Sequence, residues 1–163
     1  MSDNVAGEVS LRPLREDDLP TMFEIQLDET AQQLAAFTDK TARDLDAYLQ
    51  KFRRILANDA IVKKVVEVDG EVVGSVASFP IEGDTEVTYW IRKDWWGRGV
   101  ATAALAALLD EVTVRPVYGR IAEDNIGSAR VLEHNGFVRV GSEEAFAEAR
   151  QATITELVFK LSG

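Results

Sequence analysis

The sequence predicts an α+β fold, with a mixed and largely antiparallel central sheet flanked by about four helices. Three observations predict it: β-branched runs follow one another between residues 61 and 91, amphipathic helical stripes flank them, and a strand-helix-strand alternation follows residue 100. With 163 residues, 46% hydrophobic and 28% charged, the chain has the size and balance of one folded domain spanning 1–163.

"VSLRPL" (9–14) reads as a first strand, and the acidic "REDD" after it supplies an N-cap for a helix carrying Met22, Phe23 and Ile25. From Thr41 onward, Leu45, Tyr48, Leu49, Phe52, Ile55 and Leu56 recur at three- and four-residue steps, the stripe of an amphipathic helix. "IVKKVVEV" and "EVVGSVASF" flank Asp69-Gly70, a pair suited to a type I′ hairpin because both central residues need positive φ. Pro80 is expected to close the second of these strands, and "TEVTYWI" (85–91) adds another after a turn near Gly83. Ala101, Leu105, Leu108, Leu109 and Val112 then mark a helix starting at about Gly99, followed by the strand "VYGRIA" (117–122). Asn125 N-caps a last helix that should stop at Asn135-Gly136. "FVRVG" and "ATITELVFKL" finish the sheet, joined by a polar segment at 142–152.

Charge and composition narrow the function. Lys and Arg total 18 against 28 Asp and Glu, a formal charge of -10 that repels phosphate backbones and anionic lipid, so neither nucleic acid nor membrane is expected as a partner. No basic, apolar leader opens the sequence and no apolar run approaches the roughly 20 residues that cross a bilayer, so a cytoplasmic location is expected. There is no cysteine and one histidine, His134, which excludes a thiolate nucleophile and leaves little for a transition-metal site beyond carboxylates. His134 itself suits the negative end of its helix. The acidic surplus suits a cationic substrate, or solubility alone.

The chemistry concentrates in "DWWGRGVATAAL" (94–105), where Gly97 and Gly99 precede a helix. The N–H groups of residues 98–102 are first-turn donors, and bare backbone lets an oxygen-rich anion such as a diphosphate approach them; alternatively the glycines only permit a tight turn. A P-loop is disfavoured, since Val100 and Ala101 follow Gly99 instead of Lys and Ser/Thr. A dinucleotide fingerprint is disfavoured too, with Thr102 in place of its third glycine and a β-meander upstream.

Three blocks in order, "EVTYWI", "WWGRGVATAAL" and "NIGSARVLEHNGF", resemble the GNAT superfamily of acyl-CoA-dependent N-acyltransferases, and within it the RimJ/RimL-like branch of ribosomal-protein N-terminal acetyltransferases. The superfamily's Q/R-x-x-G-x-G/A motif falls on Trp96 to Ala101, with Trp96 in the first place as in the aromatic-Gly-x-Gly version of that branch. The resemblance implies a GNAT-like fold and acetyl-CoA as acyl donor, with no metal. It implies that Arg98, Gly99, Val100, Ala101 and Thr102 cradle the coenzyme A diphosphate, that the strand of Tyr89, Trp90 and Ile91 pairs with the pantetheine arm, and that Asn125 hydrogen-bonds that arm, with Ser128 on the same side. Arg92 and Lys93 would add positive charge, or form an ordinary basic surface.

The implied reaction moves an acetyl group to a primary amine, either a protein N-terminal α-amine or a small molecule, by direct transfer in a ternary complex. It needs a neutral amine, a stabilised oxyanion and a proton for the departing thiolate. The resemblance assigns the base to Glu86, which its strand position alone would equally allow as an ordinary solvent-facing residue, with Glu82 and Asp84 in reserve, and the oxyanion contact to the main chain near Ile91. Many superfamily members place an acidic tyrosine where this sequence has Leu132, so Ser128 is expected to protonate the thiolate. Trp90, Trp95 and Trp96 either line an acceptor cleft or belong to the core. The acceptor is expected to enter between segments 18–56 and 142–152, with "ETAQQLAAFTDK" (29–40) the stretch for substrate contacts. Leu132 keeps a second reading open, a non-catalytic coenzyme A-binding module. A homodimer is compatible with either.

Overall fold

A computed structural model describes residues 8–163; the leader reading falls on the first residues and lies outside the described part. Seven strands, β1 (Val9–Pro13), β2 (Val62–Val68), β3 (Glu71–Ile81), β4 (Asp84–Ile91), β5 (Val117–Ala122), β6 (Val138–Ala147) and β7 (Ala152–Leu161), form one sheet in the order β1-β2-β3-β4-β5-β7-β6. Only β4 and β5 run parallel, so the sheet is mixed and largely antiparallel as the sequence predicts. Among the described residues five α-helices flank it, where about four are expected: α1 (Leu19–Gln26), α2 (Glu29–Ala35), α3 (Leu45–Leu56), α4 (Val100–Glu111) and α5 (Ile126–His134).

The two sheet faces bury different helices because side chains alternate along each strand. On one face Val66, Val76, Val87 and Ile91 pack with Leu105, Leu108 and Leu109 of α4 and Leu132 of α5. On the other, Val65 and Trp90 meet Leu19, Met22 and Phe23 of α1 and Tyr48 of α3. Leu105 and Leu108 are fully buried, and truncating either to Ala costs about 2–5 kcal/mol. Among the described residues no helix is long and apolar enough to cross a membrane.

Most predicted boundaries hold to within a residue or two, and four differ for physical reasons. The α1 helix begins only after a 3-10 turn at Glu16–Asp18, because the Asp18 carboxylate binds the Arg12 guanidinium and the Arg15 N–H instead of capping α1. The stretch 29–40 contains α2, whose N-cap Asp28 accepts from the Ala31 N–H at 2.9 Å. Pro80 does not end β3, which runs one residue further, opposite Thr85 and Asp84 in a hairpin turned by Glu82 and Gly83 at φ 50° and 87°. The segment 142–152 is mainly strand: β6 continues to Ala147, so only 148–151 make the turn. The Asp69-Gly70 turn has the expected positive φ at both positions, 51° and 86°.

Candidate active site

The parallel neighbours β4 and β5 share only two register pairs, Thr85 with Val117 and Glu86 with Tyr118. Beyond Glu86 the strands splay apart, and a cleft of about 850 Å³ opens between residues 87–91 and residues 119–121. The splay frees strand-edge main chain that a closed sheet would pair. At Gly74 the opposite neighbour of β4 comes so close that an added Cβ would lie 2.1 Å from the Trp90 carbonyl oxygen, so a glycine is required behind the cleft wall.

One end of the cleft is the start of α4. Gly97 and Gly99 take φ of 75° and 77°, the left-handed region that costs a side-chain-bearing residue about 1–2 kcal/mol. No side chain caps α4, and its first intrahelical bond runs from the Ala103 N–H to the Gly99 carbonyl at 3.0 Å. The preceding N–H groups, those of Val100, Ala101 and Thr102 among them, are therefore donors at the positive end of the helix dipole. Gly97, Gly99, Val100, Ala101 and Thr102 all line the cleft, and nothing lies within 4 Å of the place a Gly97 Cβ would take. The cradle thus has the shape and polarity for a diphosphate. Arg98 is exposed, with its guanidinium 4.8 Å from the Trp95 ring centroid. Arg92 adds no free charge there, being held by Glu71 and Asp94 at 2.6 and 2.7 Å. Lys93 reaches the Thr30 hydroxyl at 3.3 Å.

Tyr89, Trp90 and Ile91 form one wall. The Trp96 indole N–H donates to the Ile91 carbonyl at 2.7 Å, which fixes that end of β4. All three tryptophans line the cleft, and Trp90 and Trp95 also pack on the two cores. Facing this wall, Asn125 caps α5 by accepting from the Ser128 N–H at 3.2 Å, and its Nδ2 donates to the Leu34 carbonyl at 3.3 Å. The Tyr89 hydroxyl donates to Ser128 Oγ at 2.8 Å, leaving the serine hydrogen for another acceptor. Burial pushes the Tyr89 hydroxyl up to about 12, against the opposing effect of the Ser128 bond, so it stays protonated at neutral pH. Leu132 is buried, its Cδ2 2.8 Å from a Cβ built on Gly119, so hydrocarbon fills the place expected for a tyrosine. His134 ends α5, exposed at the cleft.

Glu86 is 8% exposed and stands at the closed end of the splay, not among the residues that line the cleft. Its Oε2 accepts from Arg120 Nε at 3.1 Å, and Arg120 does line the cleft. The same guanidinium reaches Glu143 at 2.5 Å and Glu156 at 3.6 Å. Burial, with Glu143 and Glu86 nearby, holds the Glu156 carboxyl above its ordinary range despite the opposing pull of Arg120. Glu82 and Asp84 are exposed at the β3–β4 hairpin.

Sequence reasoning missed Arg120 and the hydroxyl pairing of Tyr89 with Ser128; within the stretch 29–40 that it singled out, Ala31, Leu34 and Ala35 of α2 line the cleft. The alternating strand pattern put Arg120 beside Gly119 on β5, yet only the parallel register opposite β4 shows that it meets Glu86.

The splayed parallel pair, leading to an open helix start, defines the acyl-CoA N-acyltransferase class of fold. The acetyltransferase (GNAT) domain model matches residues 8–138, and the chain belongs to that family of acetyltransferases. Among solved structures, the chain is similar to RimJ of Mycobacterium smegmatis in complex with CoA-disulfide, at 26% identity and a TM-score of 0.79, covering 97% of this chain and 83% of that one. It resembles a ribosomal-protein-alanine N-acetyltransferase from Brucella melitensis at 23% identity and a TM-score of 0.79, covering 94% and 99% of the two chains. A spermidine N-acetyltransferase SpeG chimera from Vibrio cholerae and hSSAT shares the fold at 21% identity, with a TM-score of 0.76 and coverage of 93% and 95%. A search of the curated proteins found no match.

Proposed function

We propose that this protein transfers the acetyl group of acetyl-CoA to a primary amine, a protein N-terminal α-amine or a small-molecule amine, by direct attack in a ternary complex. The observation that carries the reading is the splay of β4 from β5, running from Glu86 to the uncapped start of α4. A peptide-like pantetheine arm extends along the freed edge at Tyr89, Trp90 and Ile91, in the manner of an added strand. The diphosphate sits on the backbone of Arg98, Gly99, Val100, Ala101 and Thr102, with the Arg98 side chain adding charge. Asn125 keeps one N–H and one lone pair beyond its two protein bonds, enough to meet the arm as well.

In the transfer, the amine nitrogen bonds to the thioester carbonyl carbon, the C–S bond breaks, and one proton leaves the nitrogen while another reaches the sulfur. Glu86 accepts the amine proton through water, beside Arg120. Ser128 donates to the thiolate; the Tyr89 hydroxyl, already donating to its oxygen, supports the serine as charge develops. No covalent enzyme intermediate is required.

The test is the initial rate of coenzyme A thiol release over a panel of peptides and polyamines, with Glu86→Gln alongside. Amine-dependent release by the wild type, lost in Glu86→Gln at unchanged acetyl-CoA affinity, is the expected outcome. Release by no amine overturns the enzymatic reading, and full activity in Glu86→Gln removes that residue from the mechanism.

A further inference from the structure

The last carbonyls of a helix have no donors within it, so whatever satisfies them anchors that end. At the end of α2 the donors come from the β6–β7 turn and from the start of α5. The Gln33 carbonyl receives Arg150 Nε at 2.8 Å, the Leu34 carbonyl receives Asn125 Nδ2 at 3.3 Å, and the carbonyl of C-cap Ala36 receives the Ala149 N–H at 3.0 Å. The Gln33 side chain returns a bond to the Ala149 carbonyl at 2.8 Å. Arg150 also grips both carboxylate oxygens of Asp124 at 2.8 Å each, holding that carboxyl below its ordinary range. Asp124 immediately precedes Asn125, the cap of the helix that carries Ser128.

The conformation that these anchors hold is strained. Ala36 is fully buried at φ 63° and ψ -52°, and the Phe37 N–H bonds the Ala35 carbonyl across it at 2.6 Å, a γ-turn in its rare strained form. Such a turn persists only where its surroundings determine it. Upstream of it, Ala31, Leu34 and Ala35 face the cleft.

We propose that Arg150 is a positioning residue of the acceptor wall: through Gln33 and Asp124 it fixes α2 against the start of α5 and so sets the mouth through which the amine enters. The inference rests on the acetyltransferase reading of the cleft. Arg150 does not line the cleft, and α5 keeps its own Asn125 cap while the Gln33 carbonyl of α2 depends on Arg150, so the effect falls on the amine more than on the acyl donor.

The experiment compares wild type, Arg150→Gln and Arg150→Lys by amide hydrogen exchange over residues 31–37, acetyl-CoA titration and amine kinetics. Arg150→Gln should speed exchange there at least tenfold and raise the amine KM about tenfold, with kcat and acetyl-CoA affinity within twofold. Arg150→Lys, which keeps the charge beside Asp124 but loses the fork, should fall between the two. Unchanged exchange overturns the proposal whether or not any amine is turned over. Faster exchange with an unchanged amine KM overturns it too, as does a parallel loss of amine and acetyl-CoA affinity. A wild type that acetylates no amine defeats the acetyltransferase reading instead, and the exchange comparison still decides whether Arg150 anchors the wall.

Discussion

Gly97→Ala separates the two things a glycine at the start of α4 does. Its φ of 75° lies in the left-handed region, where an alanine costs about 1–2 kcal/mol. No atom lies within 4 Å of the new Cβ, so backbone strain is the whole cost to the fold. For a chain of this size that lowers Tm by roughly 2–8 °C. Strain of this kind is present with and without ligand and cancels in the dissociation constant. Affinity falls only if the methyl occupies space that the diphosphate needs. Losing one charge-assisted hydrogen bond, about 1.5–3 kcal/mol, raises Kd by roughly 10- to 150-fold. Gly83→Ala is the control: its φ is 87° and its Cβ also meets nothing within 4 Å, but it sits in the β3–β4 turn. Thermal melts and acetyl-CoA calorimetry on both variants should show similar Tm losses and a Kd change in Gly97→Ala alone. Equal, unchanged affinities would refute the reasoning and leave Gly97 as a turn former.

Further predictions follow from individual contacts. Tyr89→Phe removes the donor to Ser128 Oγ and should lower kcat about tenfold, with acetyl-CoA affinity within threefold; Ser128→Ala should cost roughly a hundredfold in single-turnover rate. Glu156 binds its proton more tightly in the folded state than in the unfolded chain, so its contribution to stability declines as pH rises through the window above pH 4.5. Glu156→Gln should therefore melt higher than wild type at pH 7, with the advantage vanishing below pH 4.5. Gly74→Ala drives a methyl to 2.1 Å from the Trp90 carbonyl oxygen, which displaces β4 and should cost 3 kcal/mol or more by urea denaturation, about the upper end for overpacking.

The fold was legible where one local rule decided it. Asp69-Gly70 accepts positive φ at both positions, Asn125 caps α5 with its own side chain, and the spacing of Leu105, Leu108 and Leu109 sets the buried face of α4. The open start of α4 was legible for the same reason, since bare backbone before a helix is a local signal. What sequence left unread depends on distant partners. The stretch 29–35 is only seven residues of helix, and its end is held by Arg150 and Asn125, which local periodicity does not reveal. Glu86 reads from sequence either as a base or as a solvent-facing strand residue; its burial and its meeting with Arg120 follow from the parallel pairing of β4 with β5. The polar composition of 142–147 suggested a loop because β6 is an edge strand, largely exposed on both faces, and so lacks the apolar alternation that marks a half-buried strand.

The central claim is that the cleft between β4 and β5 takes acetyl-CoA, and the most direct measurement is calorimetric titration of the wild type with acetyl-CoA, with ATP and NAD in the same buffer as controls. The account predicts one-to-one binding at micromolar affinity or better, and no comparable heat from either control. Acetyl-CoA binding no tighter than ATP or NAD would contradict it.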